Sequence, residues 1–155
     1  MGKNSFSNKY MLVAFELAKE AAAKGEVPVG AVIVDPFTDT IITKSHNRAS
    51  IDRDPTLHAE ILSIREACKI TGSKLLKDYE IYVTLEPCAM CAAAISYAKL
   101  SRVYFGAYDA KFGAIENGVR LFESDSALFV PEIYGGIMEQ QNIELLRGFF
   151  CAKRH

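Results

Sequence analysis

The chain has 155 residues, 50% of them hydrophobic, and its 18 Lys and Arg stand against 19 Asp and Glu for a net charge of −1. That length and apolar content suffice for one sizeable core, so a single domain over 1–155 is expected. The near-neutral balance excludes bulk attraction to a polyanion, and any nucleic acid must be met by a local patch. No apolar h-region follows Met1, and no stretch is long and apolar enough to span a bilayer, which predicts a cytoplasmic protein without a membrane partner.

In chain order, apolar residues at Met11, Ala14, Phe15, Ala18, Ala21 and Ala22 recur at helical spacing and predict a first helix over 8–24, closed by Gly25. Residues 29–34 form a continuous β-branched apolar run that ends at Asp35-Pro36 and reads as a central strand. Residues 40–43 pair back on it as a hairpin, and a polar loop follows His46-Asn47-Arg48. Pro55-Thr56 opens a second helix, carried by Ile61, Leu62, Ile64, Ala67 and Cys68 and ended near Gly72, with His58 and Glu60 in its first turn.

A second buried strand is predicted over 79–85, and a third helix over 87–98, where Pro87 in the first turn loses no hydrogen bond. Residues 102–106 read as a further strand, 129–137 as an edge-like one beside Pro131, and 140–153 as a closing helix carrying Ile143, Leu146, Phe149 and Phe150. Strands alternating with helices predict a three-layer α/β/α sandwich on a mixed sheet.

Two short motifs carry chemistry: His58-Ala59-Glu60 and Pro87-Cys88-Ala89-Met90-Cys91. Zinc takes imidazole and thiolate ligands in a tetrahedron, and a catalytic site leaves one position to water. His58, Cys88 and Cys91 offer three ligands, while Glu60 sits close enough to a bound water to shuttle its proton. The pair H-x-E and P-C-x-x-C is the signature of the zinc nucleobase deaminases. A redox reading of C-x-x-C leaves His58 and Glu60 idle, and a closed structural site needs a fourth ligand, for which His46 and Asp54 are the candidates.

Blander readings cover the rest. Two disulfides among the four cysteines suit a small secreted chain with a thin core, not this one; Cys68 reads as a small buried hydrophobe and Cys151 as similar or exposed. His46 and His155 read as surface or satisfied polar residues, and Asn47 by itself as a turn residue. Glu86 reads as a holder of loop N–H groups, Asp109 and Lys111 as solvated loop charges, and Phe149-Phe150 as core packing.

With these residues in place, the chain resembles the cytidine deaminase-like superfamily, and within it the bacterial tRNA-specific adenosine deaminases. The likeness spans most of the chain: Glu26-Val27-Pro28-Val29-Gly30-Ala31, His46-Asn47-Arg48, Asp54 to Glu60, Tyr82 to Cys91, and Phe105 to Lys111. It implies a mostly five-stranded sheet, one zinc ion on His58, Cys88 and Cys91, and Glu60 as proton shuttle. It further implies a homodimer that converts adenosine to inosine at the wobble position of a tRNA anticodon, that of an arginine tRNA. Asn47, Ala59 and Asp109 match positions on the substrate side, which replaces the turn reading of Asn47. The chain departs from many relatives at Tyr108, where they carry an arginine, and in its modestly basic tail; a tyrosine there offers a ring to stack on a base. Two rivals remain: a deaminase of free guanine or cytosine, and a zinc-stabilised RNA-binding module without catalysis.

Overall fold

A computed structural model describes residues 2–153, so Arg154 and the expectation for His155 lie outside the described residues. The elements run α1 (Gly2–Ala23), β1 (Gly30–Asp35), β2 (Thr40–His46), α2 (Ala59–Thr71), β3 (Glu80–Leu85), α3 (Ala89–Ala98), β4 (Arg102–Ala107), a 3-10 turn at Leu121–Glu123, β5 (Glu132–Tyr134) and α4 (Glu139–Lys153). The five strands form one mixed sheet in the order β2-β1-β3-β4-β5, antiparallel between β1 and both of its neighbours and parallel from β3 onward.

β1 is apolar at successive positions because both faces of the sheet are covered. Ala31 and Ile33 join the core that holds Ala59, Ala67, Ala92 and Ile95 of α2 and α3. Val32 and Val34 join the opposite core, built on Tyr10, Met11 and Ala14 of α1. This alternation makes the three layers. On the α1 face, Tyr82, Tyr104 and Tyr134 occupy paired positions on adjacent strands and stack at centroid distances of 4.3 and 4.9 Å.

Several boundaries differ from the sequence expectation, each for a local reason. α1 begins at Gly2 because no proline interrupts the residues before 8. β2 continues to His46 because Lys44, Ser45 and His46 pair with Val32, Ala31 and Gly30. α2 begins at Ala59, not at Pro55: the Asp54 carboxylate accepts from the Thr56 N–H and hydroxyl and holds a turn that leaves His58 as N-cap, outside the first turn. α3 likewise begins at Ala89 after the N-cap Cys88, since the Pro87 carbonyl is taken by the Ala114 N–H. The last strand shrinks to three edge residues, Glu132–Tyr134, that follow Pro131.

α1 lies close on β1 at Gly30, where an added Cβ would stand within 2.8 Å of the Ala18 nitrogen and closer still to the Ala14 carbonyl oxygen. Backbone on both sides cannot yield to a side chain. Gly30→Ala is therefore expected to lower stability by about 2–3 kcal/mol in urea unfolding; an unchanged midpoint would show that the helix does not rest on the strand this closely.

Candidate active site

β2, β3 and β4 all run in the same direction, so their carboxyl ends meet at one edge of the sheet. Ligands of open α/β sheets bind at such edges. Asn47 follows β2, Glu86 and Cys88 follow β3, and Tyr108 and Asp109 follow β4. Val27 and Val29 enter the same edge ahead of β1. Together with His58, Glu60, Leu146 and Phe150 these residues line a cavity of about 840 Å³.

His58 and Cys88 are both N-cap residues with extended backbone (φ −71°, ψ 157° and φ −72°, ψ 176°), and neither side chain caps its own helix. The geometry frees both for a shared point, which Cys91 reaches from the first turn of α3. His58 Nδ1 stands 3.6 Å from Cys88 Sγ and 3.6 Å from Cys91 Sγ. A tetrahedron with zinc–sulfur bonds of about 2.3 Å and zinc–nitrogen bonds of about 2.0 Å has N–S edges of about 3.5 Å, so the three groups fit that ion without rearrangement. Among the described residues they form the group placed to hold a metal. Neither proposed fourth ligand joins them: His46 contacts the Asn47 carbonyl and Lys24 Nζ, and Asp54 holds Thr56.

Electrostatics point the same way. The Cys91 thiol and the His58 ring pull Cys88 down to about 4 against the cost of burial. Cys91 is driven sharply upward by its hydrogen bond to Cys88 and by burial, and His58 is raised chiefly by its hydrogen bond to Cys88. Two sulfurs in a buried site cannot both ionise without a cation, and a divalent ion removes the conflict. Burial pushes Glu60 up to about 7, the Cys88 thiolate adding to that rise while its own N–H and His58 oppose it.

Residues 4–107 match the zinc-binding region of cytidine and deoxycytidylate deaminases. The tRNA-specific adenosine deaminase of Rickettsia bellii is 51% identical over 140 residues, 90% of this chain and 97% of that protein. The tRNA-specific adenosine deaminase of Agrobacterium fabrum is 46% identical over 145 residues, 94% of each chain. A solved structure from studies of A-to-I editing by tRNA:A34 deaminases at the wobble position of transfer RNA matches with a TM-score of 0.86 and 44% identity, covering 89% of this chain and 99% of that one. The chain belongs to the tRNA-specific adenosine deaminase family.

In this deaminase the segment that carries Cys88 is tied to the loop after β4, by a backbone bridge from Cys88 to Gly113 and by Glu86. Glu86, 2% exposed, accepts the N–H groups of Asp109, Ile115, Glu116 and Asn117 and the Asn117 side-chain amide, at 2.7–3.1 Å. The role expected of it is therefore the observed one. Burial would raise its carboxyl, yet these donors together hold it below the usual range. Gly113 packs against it, since an added Cβ there would come within 2.5 Å of Glu86 Cδ. Asp109 in turn accepts the Lys111 and Phe112 N–H groups through Oδ1, so it orders the loop as well as lining the cavity.

Asn47 is buried; its Oδ1 accepts the Ala49 N–H at 3.1 Å, and its Nδ2 donates weakly to the Val27 carbonyl at 3.5 Å. An amide nitrogen carries two N–H groups, so a donor remains for a ligand in the cavity. Ala59 is fully buried between this cavity and the core, where its backbone starts α2. Cys68 is partly buried against the core and Cys151 is exposed.

Phe150 is the residue that sequence reasoning placed wrongly. It is 47% exposed and lines the cavity, whereas core packing was expected. The signal available was the stripe Ile143, Leu146, Phe150 at helical spacing, which defines a face of α4 but not what covers it. Leu146, Phe112 and Val27 of the lining carried no separate signal.

Purified deaminase is expected to carry one zinc ion per chain and to lose thermal stability on chelation, regaining it with zinc. Cys91→Ala should hold almost none and respond to neither treatment, as read by metal analysis and melting curves. Glu86→Gln puts an amide against N–H donors and should lower stability by about 2 kcal/mol with zinc content unchanged; an equal loss of metal would make Glu86 part of the metal centre itself.

Proposed function

We propose that this zinc-dependent deaminase acts on the wobble adenosine of a tRNA anticodon, that of an arginine tRNA, and forms inosine there. The observation that carries the chemistry is the three-ligand cluster with Glu60 buried in the wall of the same cavity. His58, Cys88 and Cys91 would hold the zinc. When bound, zinc acidifies a water to a pKa of about 7, so that hydroxide is available at neutral pH.

Glu60 takes the proton of the attacking water at its carboxylate and hands protons on to the purine ring nitrogen and to the departing amine. Water oxygen ends on C6 of adenine, the C–N bond to the exocyclic amine breaks, and ammonia leaves. The low dielectric around Glu60 suits this role, because a buried carboxylate accepts and releases a proton more readily near neutrality. Asn47 orients the base with its spare N–H, Ala59 forms the floor at the start of α2, and Asp109 holds the loop that faces the RNA. A single-stranded loop suits such a pocket, since its base is extruded at little unpairing cost.

The names of the relatives support tRNA over a free base as substrate, and the cavity's size and aromatic rim of Phe112 and Phe150 support it further. A tRNA substrate implies action in the cytoplasm. Self-association into a homodimer is supported by Tyr97, Leu128 and Val130, which are 69%, 61% and 55% exposed. They are chain neighbours of Ser96 and Phe129, which two hydrogen bonds hold together.

Zinc-loaded wild type is expected to form inosine in an anticodon stem-loop with adenosine at the wobble position, leaving free guanine and cytosine untouched. Glu60→Ala should lower turnover by at least about a thousandfold with zinc retained. Ammonia released from a free base but not from the stem-loop would transfer the assignment to a free-base deaminase, and RNA binding without turnover would make the protein a binding module.

A further inference from the structure

His46 closes β2 with its side chain buried, next to Asn47 in the cavity wall. Neither ring nitrogen is idle. Nδ1 lies 2.8 Å from the Asn47 carbonyl oxygen, and Nε2 lies 3.2 Å from Lys24 Nζ. A carbonyl only accepts and an ammonium only donates, so Nδ1 carries the ring proton and Nε2 accepts a hydrogen bond from Lys24. The other neutral tautomer would set Nε2–H against the ammonium and a lone pair against the carbonyl. A doubly protonated ring would also turn an N–H toward Lys24. The two partners therefore select one form, neutral and protonated on Nδ1.

Both peptide groups that flank the Asn47 Cα are held. On one side the Asn47 N–H donates to the Val29 carbonyl at 3.0 Å. On the other, the peptide between Asn47 and Arg48 is gripped at both ends, its carbonyl by His46 and its N–H by the Leu57 carbonyl at 3.1 Å. Peptide groups are planar, so fixing two of them fixes the Cα–Cβ direction between them, and with it where the Asn47 amide enters the cavity. Leu57 directly precedes His58, so the same peptide group refers that amide to the metal centre.

We propose that His46 is a positioning residue for the reaction: its Nδ1–H holds the Asn47 carbonyl, and Lys24 selects the ring tautomer able to do so. His46 acts through Asn47 and not on the base. The inference rests on the reading of Asn47 as the residue that orients the base, given above. Its effect falls on kcat more than on KM, because a stem-loop is bound through many nucleotides whereas a misaligned base reacts slowly.

The test uses full-length, zinc-loaded protein and the anticodon stem-loop with adenosine at the wobble position. His46→Leu, which fills the site without a donor, is expected to lower kcat about tenfold with KM changed less than about twofold, and to keep its zinc. His46→Asn places an amide N–H near the position of Nδ1 and should recover most of that loss. Asn47→Ala should lower kcat at least as far, and adding His46→Leu to it should cost nothing more, since the group being positioned is gone. Nitrogen NMR of isotope-labelled protein reads the tautomer directly: the ring signal that disappears in His46→Asn should be that of an imidazole protonated on Nδ1, and Lys24→Met should move it toward a mixture of tautomers.

A wild-type His46 protonated on Nε2 overturns the proposal without any kinetic variant. So does a His46→Leu loss of equal size with and without the Asn47 side chain, which would make the ring packing only. An unchanged tautomer in Lys24→Met overturns the part given to the lysine. If Asn47→Ala turns over like wild type, the reading of Asn47 fails and takes the proposal with it, whereas a costly Asn47→Ala beside a harmless His46→Leu removes His46 alone.

Discussion

Everything at this site depends on bringing two sulfurs and an imidazole to one buried point. Thiolates repel each other, and burial penalises each charge, so without a cation the pair is driven apart, Cys88 downward and Cys91 upward. A divalent cation turns that standoff into attraction. The fold serves the meeting by starting α2 and α3 at the same sheet edge, with a ligand as the N-cap of each and a third one turn inside. A cap residue is backbone-extended and its side chain leaves the helix axis sideways, which lets two helices aim at one ion without colliding.

The second constraint is rigidity around that point. Glu86 sits between the last residue of β3 and the first zinc-ligating cysteine, and it gathers N–H groups from across residues 109–117. One carboxylate thereby ties the metal loop to the loop that carries Asp109. The isolated bridge between Cys88 and Gly113 is the backbone counterpart of the same tie. With the base of the loop held in this way, Tyr108 and Phe112 are presented to solvent on a fixed support.

How far the sequence speaks depends on the range of the interaction being read. The ligands were legible because Cys88 and Cys91 are one helical turn apart, and zinc chemistry needs those atoms and few others. β1 was legible because a strand covered on two faces is apolar at successive positions, and β3, which also buries Glu80 and Thr84, was legible from Ile81, Val83 and Leu85 at every second position. The start of α2 was not, since two local signals compete there: Pro55 suits a first turn, but the Asp54 side chain takes the Thr56 N–H and delays the helix by a few residues. Phe150 was misjudged because the stripe on α4 becomes a cavity wall only when it meets the end of β4, brought from another part of the chain.

The ligand cluster and the far wall of the cavity come from different stretches of the chain. The region shared with cytidine and deoxycytidylate deaminases, residues 4–107, contains His58, Glu60, Cys88 and Cys91 and ends at the last residue of β4. Tyr108, Asp109, Phe112, Leu146 and Phe150, which close the far side of the cavity, all follow it. The zinc group lies on the α2 and α3 face, while the rim is built from the end of β4 and from α4 packed on β4. Substituting the rim therefore leaves the ligand cluster and the Glu86 tie intact, because Asp109 joins the tie through its backbone N–H and no rim side chain is a metal ligand. A fold so divided can keep one hydrolytic reaction and change what is carried to it, with the selectivity residing in whichever aromatic and cationic side chains line the entrance.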